Sequence, residues 1–214
     1  MRNSSENKIK IVFIRHGLTP ANEAHKYCGR QNDEDLSVAG ADEIIKHKED
    51  GIYPDAGILF TSPKIRAIHT AGIVYPGKDY SVISEFDEMD FGTFEGRTHE
   101  DLKDTLEYIA WIESNGELPF PGGESRKEYV KRVGTGYERV LRNLHENMLS
   151  GEDKDITIAI VAHGGTIMAV LNEYAGESYF GSMVANGDGF LCEVDLDNPY
   201  STKVIGRLLG QSND

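Results

Sequence analysis

With 214 residues, 39% of them hydrophobic and 27% charged, the chain carries enough apolar material for one full core with a small appendage. The formal net charge of −14 supplies no basic footprint, so DNA and RNA are excluded as expected partners, while a few buried arginines can still turn one pocket toward a small anion. Cys28 and Cys192 lack paired or metal-ligand spacing, the first eight residues are polar, and no apolar run reaches membrane-span length; the expectation is a cytoplasmic protein with no disulfide framework, thiolate metal site or membrane partner.

In chain order, Lys8–Ile14 is a short β-branched run, long enough for one buried strand, that stops at Arg15-His16-Gly17. Residues 18–35 read as a loop with one helical turn. Ser37 is a good N-cap for a helix from Val38 to about Lys48, with Val38, Ala41, Ile45 and Lys48 on one stripe. Residues 57–61 form a second buried strand. Ser62-Pro63 predicts the next helix start, with Ser62 as N-cap and Pro63 at the first helical position, and the helix runs to about Val74. A short third strand occupies 80–84.

Glu85–Arg97 is too rich in Gly, Asp and Phe for regular structure and reads as a functional loop. Thr98 opens a helix carrying Leu102, Leu106 and Ile109 that ends near Asn115-Gly116, and Pro119–Gly123 is a second irregular linker. The stretch 91–123 is therefore expected to form a cap or insertion over the site, within one domain spanning 1–214. Trp111 and the cluster at 119–121 read as packing inside that cap. Glu124–Leu149 is a long amphipathic helix with Val130, Val133, Tyr137, Val140, Leu144 and Met148 recurring every three or four residues. Lys154-Asp155 leads into the strand 156–162, which ends in His163-Gly164-Gly165, and a buried helix covers 166–174. Two last strands, 189–195 and 203–209, flank the turn at Asp197–Pro199. The alternation predicts an α/β three-layer sandwich: a mostly parallel sheet, one antiparallel edge, helices on both faces and the small cap.

Two buried strands far apart in sequence each end in His-Gly. If they are neighbours, His16 and His163 face each other across one pocket at the carboxyl-end rim of the sheet. Arg15 and Arg66 add planar guanidinium forks suited to phosphate oxygens. Two arginines and two histidines in an otherwise acidic protein point to a phosphoryl group.

These residues resemble the histidine phosphatase superfamily, the phosphoglycerate mutase-like proteins. The resemblance rests on Arg15-His16-Gly17 with Thr19 and Asn22, on Leu36–Gly40, on Ser62–Ala71 with Arg66, on the acidic loop Glu88–Gly96, and on Gly123–Ser125 and Val161–Gly165. It implies a metal-independent phosphoric monoester hydrolase without a cofactor. His16 would be the phosphoryl-accepting nucleophile, Glu88 the proton donor and then base, and Arg15, Asn22, Arg66 and His163 the groups holding the non-bridging oxygens. Leu18 and Phe94 depart from the family's usual residues and bear on substrate preference alone. The loop after Glu88 and the acidic stretch 98–123 favour a phosphatase over the alternative, a phosphoglycerate mutase. The branch most similar to the chain includes the α-ribazole phosphatases, so the expected substrate is a small-molecule phosphate ester, with α-ribazole phosphate as a candidate. A non-catalytic phospho-ligand binding module is the alternative from another class, and every expected position being filled argues against it. A metal hydrolase using His16 and His163 is disfavoured by the lack of ligand spacing along the sequence.

Overall fold

The computed structural model describes residues 8–148 and 156–210; the polar opening residues 1–7, the far end of the long helix at Leu149 and the lead-in at Lys154-Asp155 lie outside them. Six strands form one sheet in the order β3-β2-β4-β1-β5-β6. β1 (Lys8–Arg15), β2 (Ile58–Thr61), β3 (Ser81–Val82) and β4 (Thr157–Ala162) run parallel, and β5 (Gly189–Asp195) pairs antiparallel with both β1 and β6 (Asn198–Arg207). The sheet is thus mostly parallel with an antiparallel pair closing one edge. β1 and β4 are direct neighbours in the register Arg15↔Ala162, so the residues that follow them, His16 and His163, stand side by side.

Alternation along the central strands divides the apolar side chains between two helical layers. Ile11, Phe13, Ile158 and Ile160 share one buried cluster with Val133, Tyr137, Val140 and Leu144 of α6 (Arg126–Met148) and with Ile167, Val170 and Leu171 of α7 (Gly164–Ala175). Val12, Ile14, Ala159 and Val161 share the other with Ile44 of α2 (Val38–Glu49) and with Ala67, Ala71 and Val74 of α3 (Ile65–Val74). Both faces are covered, which is what lets the strands be continuous apolar runs.

Three local readings change and a fourth is filled in. In α2 the cap is as expected, Ser37 accepting from the Gly40 amide, but the buried face is Gly40 and Ile44, while Val38 and Ile45 are exposed. The reason is close backbone packing: a Cβ on Gly40 would stand 2.2 Å from the Leu18 carbonyl oxygen. α3 starts at Ile65 rather than Pro63, because the Ser62 hydroxyl is drawn to His163 instead of capping a helix. The helix expected from Thr98 is two helices, α4 (His99–Leu102) and α5 (Leu106–Glu113); Thr105 caps α5, leaving Leu102 buried and Leu106 exposed. The one turn in 18–35 is α1 (Pro20–Glu23), held by a capping box between Thr19 and Asn22. Among the described residues no helix is long and apolar enough to cross a membrane.

Candidate active site

The site stands at the carboxyl ends of β1 and β4. The His16 amide continues the ladder by donating to the Ala162 carbonyl (2.9 Å), so the strand itself delivers this imidazole. His16 is 3% exposed, and its Nδ1 lies 2.7 Å from the Gly17 carbonyl oxygen. A carbonyl only accepts, so the proton is assigned to Nδ1 and the Nε2 lone pair is left free. Burial, reinforced by Arg66 and Arg15, holds the His16 pKa well below the ordinary imidazole range, so the ring is neutral.

His163 packs edge-on against His16, ring centroids 5.1 Å apart, and is fully buried. Its Nε2 lies 2.7 Å from Ser62 Oγ. Ser62 Oγ also accepts the Lys64 amide at 3.3 Å; with the hydroxyl donating to His163 Nε2, the imidazole proton stands on Nδ1. That Nδ1 is buried without a hydrogen-bond acceptor, as are Nε of Arg15 and Nε of Arg66. Three unpaired buried donors in one place are costly unless an acceptor arrives.

The arginines are fixed through their other nitrogens. Arg15 Nη1 donates to the Val184 carbonyl (2.7 Å); Arg66, fully buried, donates from Nη1 to the Asn32 carbonyl (2.9 Å). α3 also reaches the loop after His16 through Thr70, whose hydroxyl donates to the Arg66 carbonyl and accepts the Gly17 amide (3.0 Å). Asn22 has its Oδ1 engaged by the Thr19 amide and by Asn186 Nδ2, which leaves its NH2 as the available donor. Asn186 Nδ2 also donates to the His16 carbonyl (3.0 Å), tying Asn22 to the His16 backbone.

Glu88 is 9% exposed, and burial raises its pKa despite the opposing pull of Arg66, the Met89 amide and Arg15. Oε1 accepts the Tyr129 hydroxyl (3.1 Å) and the Met89 amide (2.9 Å), while Oε2 lies 3.5 Å from His163 Nδ1. The structure thus gathers His16, His163, Glu88, Arg15 and Arg66, and places Asn22 beside them through Asn186. Sequence reasoning missed Ser62, Tyr129 and Asn186. Ser62 carried a signal, but it was the one for a helix cap; Tyr129 and Asn186 lie outside any strand end or motif.

The glycines near the two histidines differ in cause; a Cβ on Gly164, directly after His163, would make only ordinary contact with Arg15 at 3.5 Å, so the demanding positions are Gly17 and Gly165. A Cβ on Gly17 would press on Ile44 Cγ1 at 2.8 Å, so that glycine serves α2 packing rather than ligand approach. A Cβ on Gly165 would sit 3.0 Å from the Tyr129 hydroxyl and 3.2 Å from Glu88 Oε1, crowding the site itself.

Folding also supplies what spacing along the sequence lacks: ligand atoms of His16, Glu88 and His163 lie within 4.8 Å of one another. As a donor set this could grip a metal ion. The same space is flanked by two guanidiniums, which repel a divalent cation and attract an oxyanion. A cavity of about 290 Å³ is lined by Arg15, Glu88 and Gly165 together with Phe91, Trp111, Phe120, Tyr179, Phe180 and Met183. Trp111 and Phe120, read from sequence as packing, are therefore also cavity wall.

A neutral imidazole with a free lone pair, set among cationic donors on the rim of a doubly covered α/β sheet, belongs to enzymes that handle anionic groups. Comparison narrows the class. Residues 11–182 match the histidine phosphatase superfamily (branch 1), and the chain belongs to that superfamily. A protein of Hydrogenobacter thermophilus named provisionally as phosphoserine phosphatase 2 is 30% identical over 178 residues, 76% of each chain. The 2,3-bisphosphoglycerate-dependent phosphoglycerate mutase of Allorhizobium ampelinum is 26% identical over 215 residues, 94% of this chain and 97% of the mutase. The crystal structure of the α-ribazole phosphatase from Shigella flexneri superposes with a TM-score of 0.72 at 26% identity, covering 92% of this chain and 94% of that one. The chain is an enzyme of a superfamily that holds phosphatases and mutases.

Proposed function

We propose that the protein is a metal-independent phosphatase that hydrolyses a small-molecule phosphate monoester through a phosphohistidine on His16. The observation that carries this is the set of unpaired buried donors, Arg15 Nε, Arg66 Nε and His163 Nδ1, beside a neutral imidazole whose Nε2 is free. Phosphoryl transfer needs little covalent chemistry from the protein beyond a nucleophile; fixed positive donors around three equatorial oxygens supply most of the rate.

In the first step His16 Nε2 attacks phosphorus and the ester P–O bond breaks, with Glu88 giving its proton to the departing alkoxide. In the second, ionised Glu88 takes a proton from water as that water attacks phosphorus; the P–N bond breaks, inorganic phosphate leaves, and His16 is neutral again. Arg15, Arg66, the Nδ1–H of His163 and the NH2 of Asn22 hold the non-bridging oxygens. The raised Glu88 pKa supports its service as an acid near neutrality.

The stretch 91–123 acts as a cap, since Phe91, Trp111 and Phe120 wall the cavity that would take the alcohol portion of the ester. Likeness to the Shigella flexneri enzyme supports α-ribazole phosphate as one substrate to assay. The expected result on mixing a phosphate ester with the protein and quenching is an acid-labile, base-stable phosphoryl label on the wild type that is missing in His16→Ala. Full hydrolytic activity in His16→Ala would overturn the reading, and net mutase turnover of phosphoglycerate exceeding hydrolysis would overturn its phosphatase half.

A further inference from the structure

The cavity beyond the phosphoryl site carries an unusual charge arrangement. Among the described residues that line it, Arg126 is the one cation besides Arg15. Arg126 begins α6, with its guanidinium carbon 5.5 Å from the Tyr179 ring centroid and 5.7 Å from that of Phe180. It is not free. Its Nη2 pairs with Glu117, an exposed residue of the 91–123 stretch next to the cavity-lining Gly116.

A substrate with a second acidic group, such as the carboxylate of phosphoserine or of phosphoglycerate, would need a cation beyond the phosphate. Arg15 belongs to the phosphoryl end and Arg126 already has a carboxylate partner, so the incoming group would have to displace Glu117 or sit beside it as a like charge. The remaining lining beyond the phosphoryl end is largely aromatic side chains and methionines: Phe91, Trp111, Phe120, Tyr179, Phe180 and Met183. Such walls from two separate stretches favour a flat apolar body by burial and edge or face contacts.

We propose that the Glu117–Arg126 pair is a charge filter, and that together with the aromatic walls it makes the site select monoesters of neutral, aromatic-bodied alcohols over esters carrying a second anion. Glu117 and Arg126 are specificity-determining residues in this account, not catalytic ones. The proposal rests on the reading of His16 as the phosphoryl acceptor.

The test compares three esters with equally poor alkyl leaving groups, so that acid catalysis is matched: 2-phenylethyl phosphate, O-phosphoserine and 3-phosphoglycerate. The wild type should favour 2-phenylethyl phosphate in kcat/KM by roughly 10- to 200-fold, the span one apolar group commands in a fitted pocket. Glu117→Gln frees Arg126 and should raise the kcat/KM ratio of 3-phosphoglycerate, whose one extra charge is an anion, to 2-phenylethyl phosphate by about two- to fivefold, the scale of one exposed charge pair. Arg126→Gln leaves Glu117 unpaired and should move the same ratio the opposite way. A merely structural ion pair would change stability in both variants without this reversal of sign. A wild type that favours phosphoserine or phosphoglycerate, or a ratio that neither variant moves, overturns the filter alone. Failure to turn over any of the three esters, with no label on His16, overturns the filter and the reading beneath it.

Discussion

His16 and Glu88 are both buried, and burial pushes each toward its neutral form, yet the consequence for reactivity is opposite. An imidazole that loses its proton becomes a nucleophile, whereas a carboxyl that keeps its proton becomes an acid. The sign for pH follows. On alkyl esters the rate should fall as pH rises through the raised Glu88 pKa, because the acid form is then lost, and protonation of His16 should matter only well below the ordinary imidazole range. Glu88→Gln should lower kcat on an alkyl phosphate by about 10²–10⁴ and remove the alkaline fall, with little change for 4-nitrophenyl phosphate in the first step. Equal losses on alkyl and aryl esters would speak against the acid role. His16, Arg15 and His163 were legible in the sequence because strand ends expose them as polar punctuation after apolar runs. The partner that sets the His163 proton was not legible. Ser62 next to Pro63 reads as a helix cap, and only the pairing of β2 with β4 brings its hydroxyl to Nε2.

The loop carrying Glu88 has no strand or long helix of its own, so its geometry comes from α6. Arg132 grips Glu124 through Nε and Nη2, each at 2.8 Å, and donates from Nη1 to the carbonyls of Glu85 (2.8 Å) and Asp87 (3.0 Å) and from Nη2 to that of Glu88 (3.3 Å). Its guanidinium lies over the Tyr129 ring at 5.0 Å, and Tyr129 in turn donates to Glu88. Glu124 completes the clasp by accepting the Asp90 amide (3.1 Å). On the proposed chemistry, in which Glu88 is the acid, Arg132 is a positioning residue. Arg132→Met keeps the stem but drops these bonds, costing about 1.5–3 kcal/mol of stability if one charged hydrogen bond's worth is lost net. The distinguishing outcome is kinetic: kcat on alkyl phosphates should fall at least tenfold more than kcat on 4-nitrophenyl phosphate, with KM for the latter little changed. A uniform loss across leaving groups would mark Arg132 as structural only. The helix itself was plain from its apolar period. Its polar side was not, because an arginine on a solvated face and one that clasps a distant loop look alike in sequence.

At the scale of the molecule, a chain of net charge −14 gathers two guanidiniums, Arg66 fully buried and Arg15 partly so, and two buried imidazoles at one site. The layering was readable, since strands that are apolar on both faces demand helices on both sides. The walls of the cavity were not, because Tyr179, Phe180 and Met183 follow the α7 cap at Gly176 in a segment with no periodicity. The buried imidazoles also fix how stability varies with acidity. His16 and His163 have folded pKa values depressed well below that of the unfolded chain, near 6.5. Below that value the unfolded chain binds protons that the folded chain refuses, so stability is full above about pH 6.5 and is lost as pH falls toward the depressed folded values, by up to about 1.4 kcal/mol per pH unit for each histidine. Glu88 acts the other way: its raised pKa lets the folded state retain a proton that the unfolded chain has lost, a contribution that fades as pH rises through the raised value. Two histidines outweigh one carboxyl, so urea unfolding should show stability dropping between pH 6.5 and 5. His163→Gln should flatten that drop, and inorganic phosphate should raise stability by mass action in the wild type and less in Arg66→Met. A wild-type profile flat across this interval would contradict the neutral pair of imidazoles on which the phosphohistidine chemistry depends.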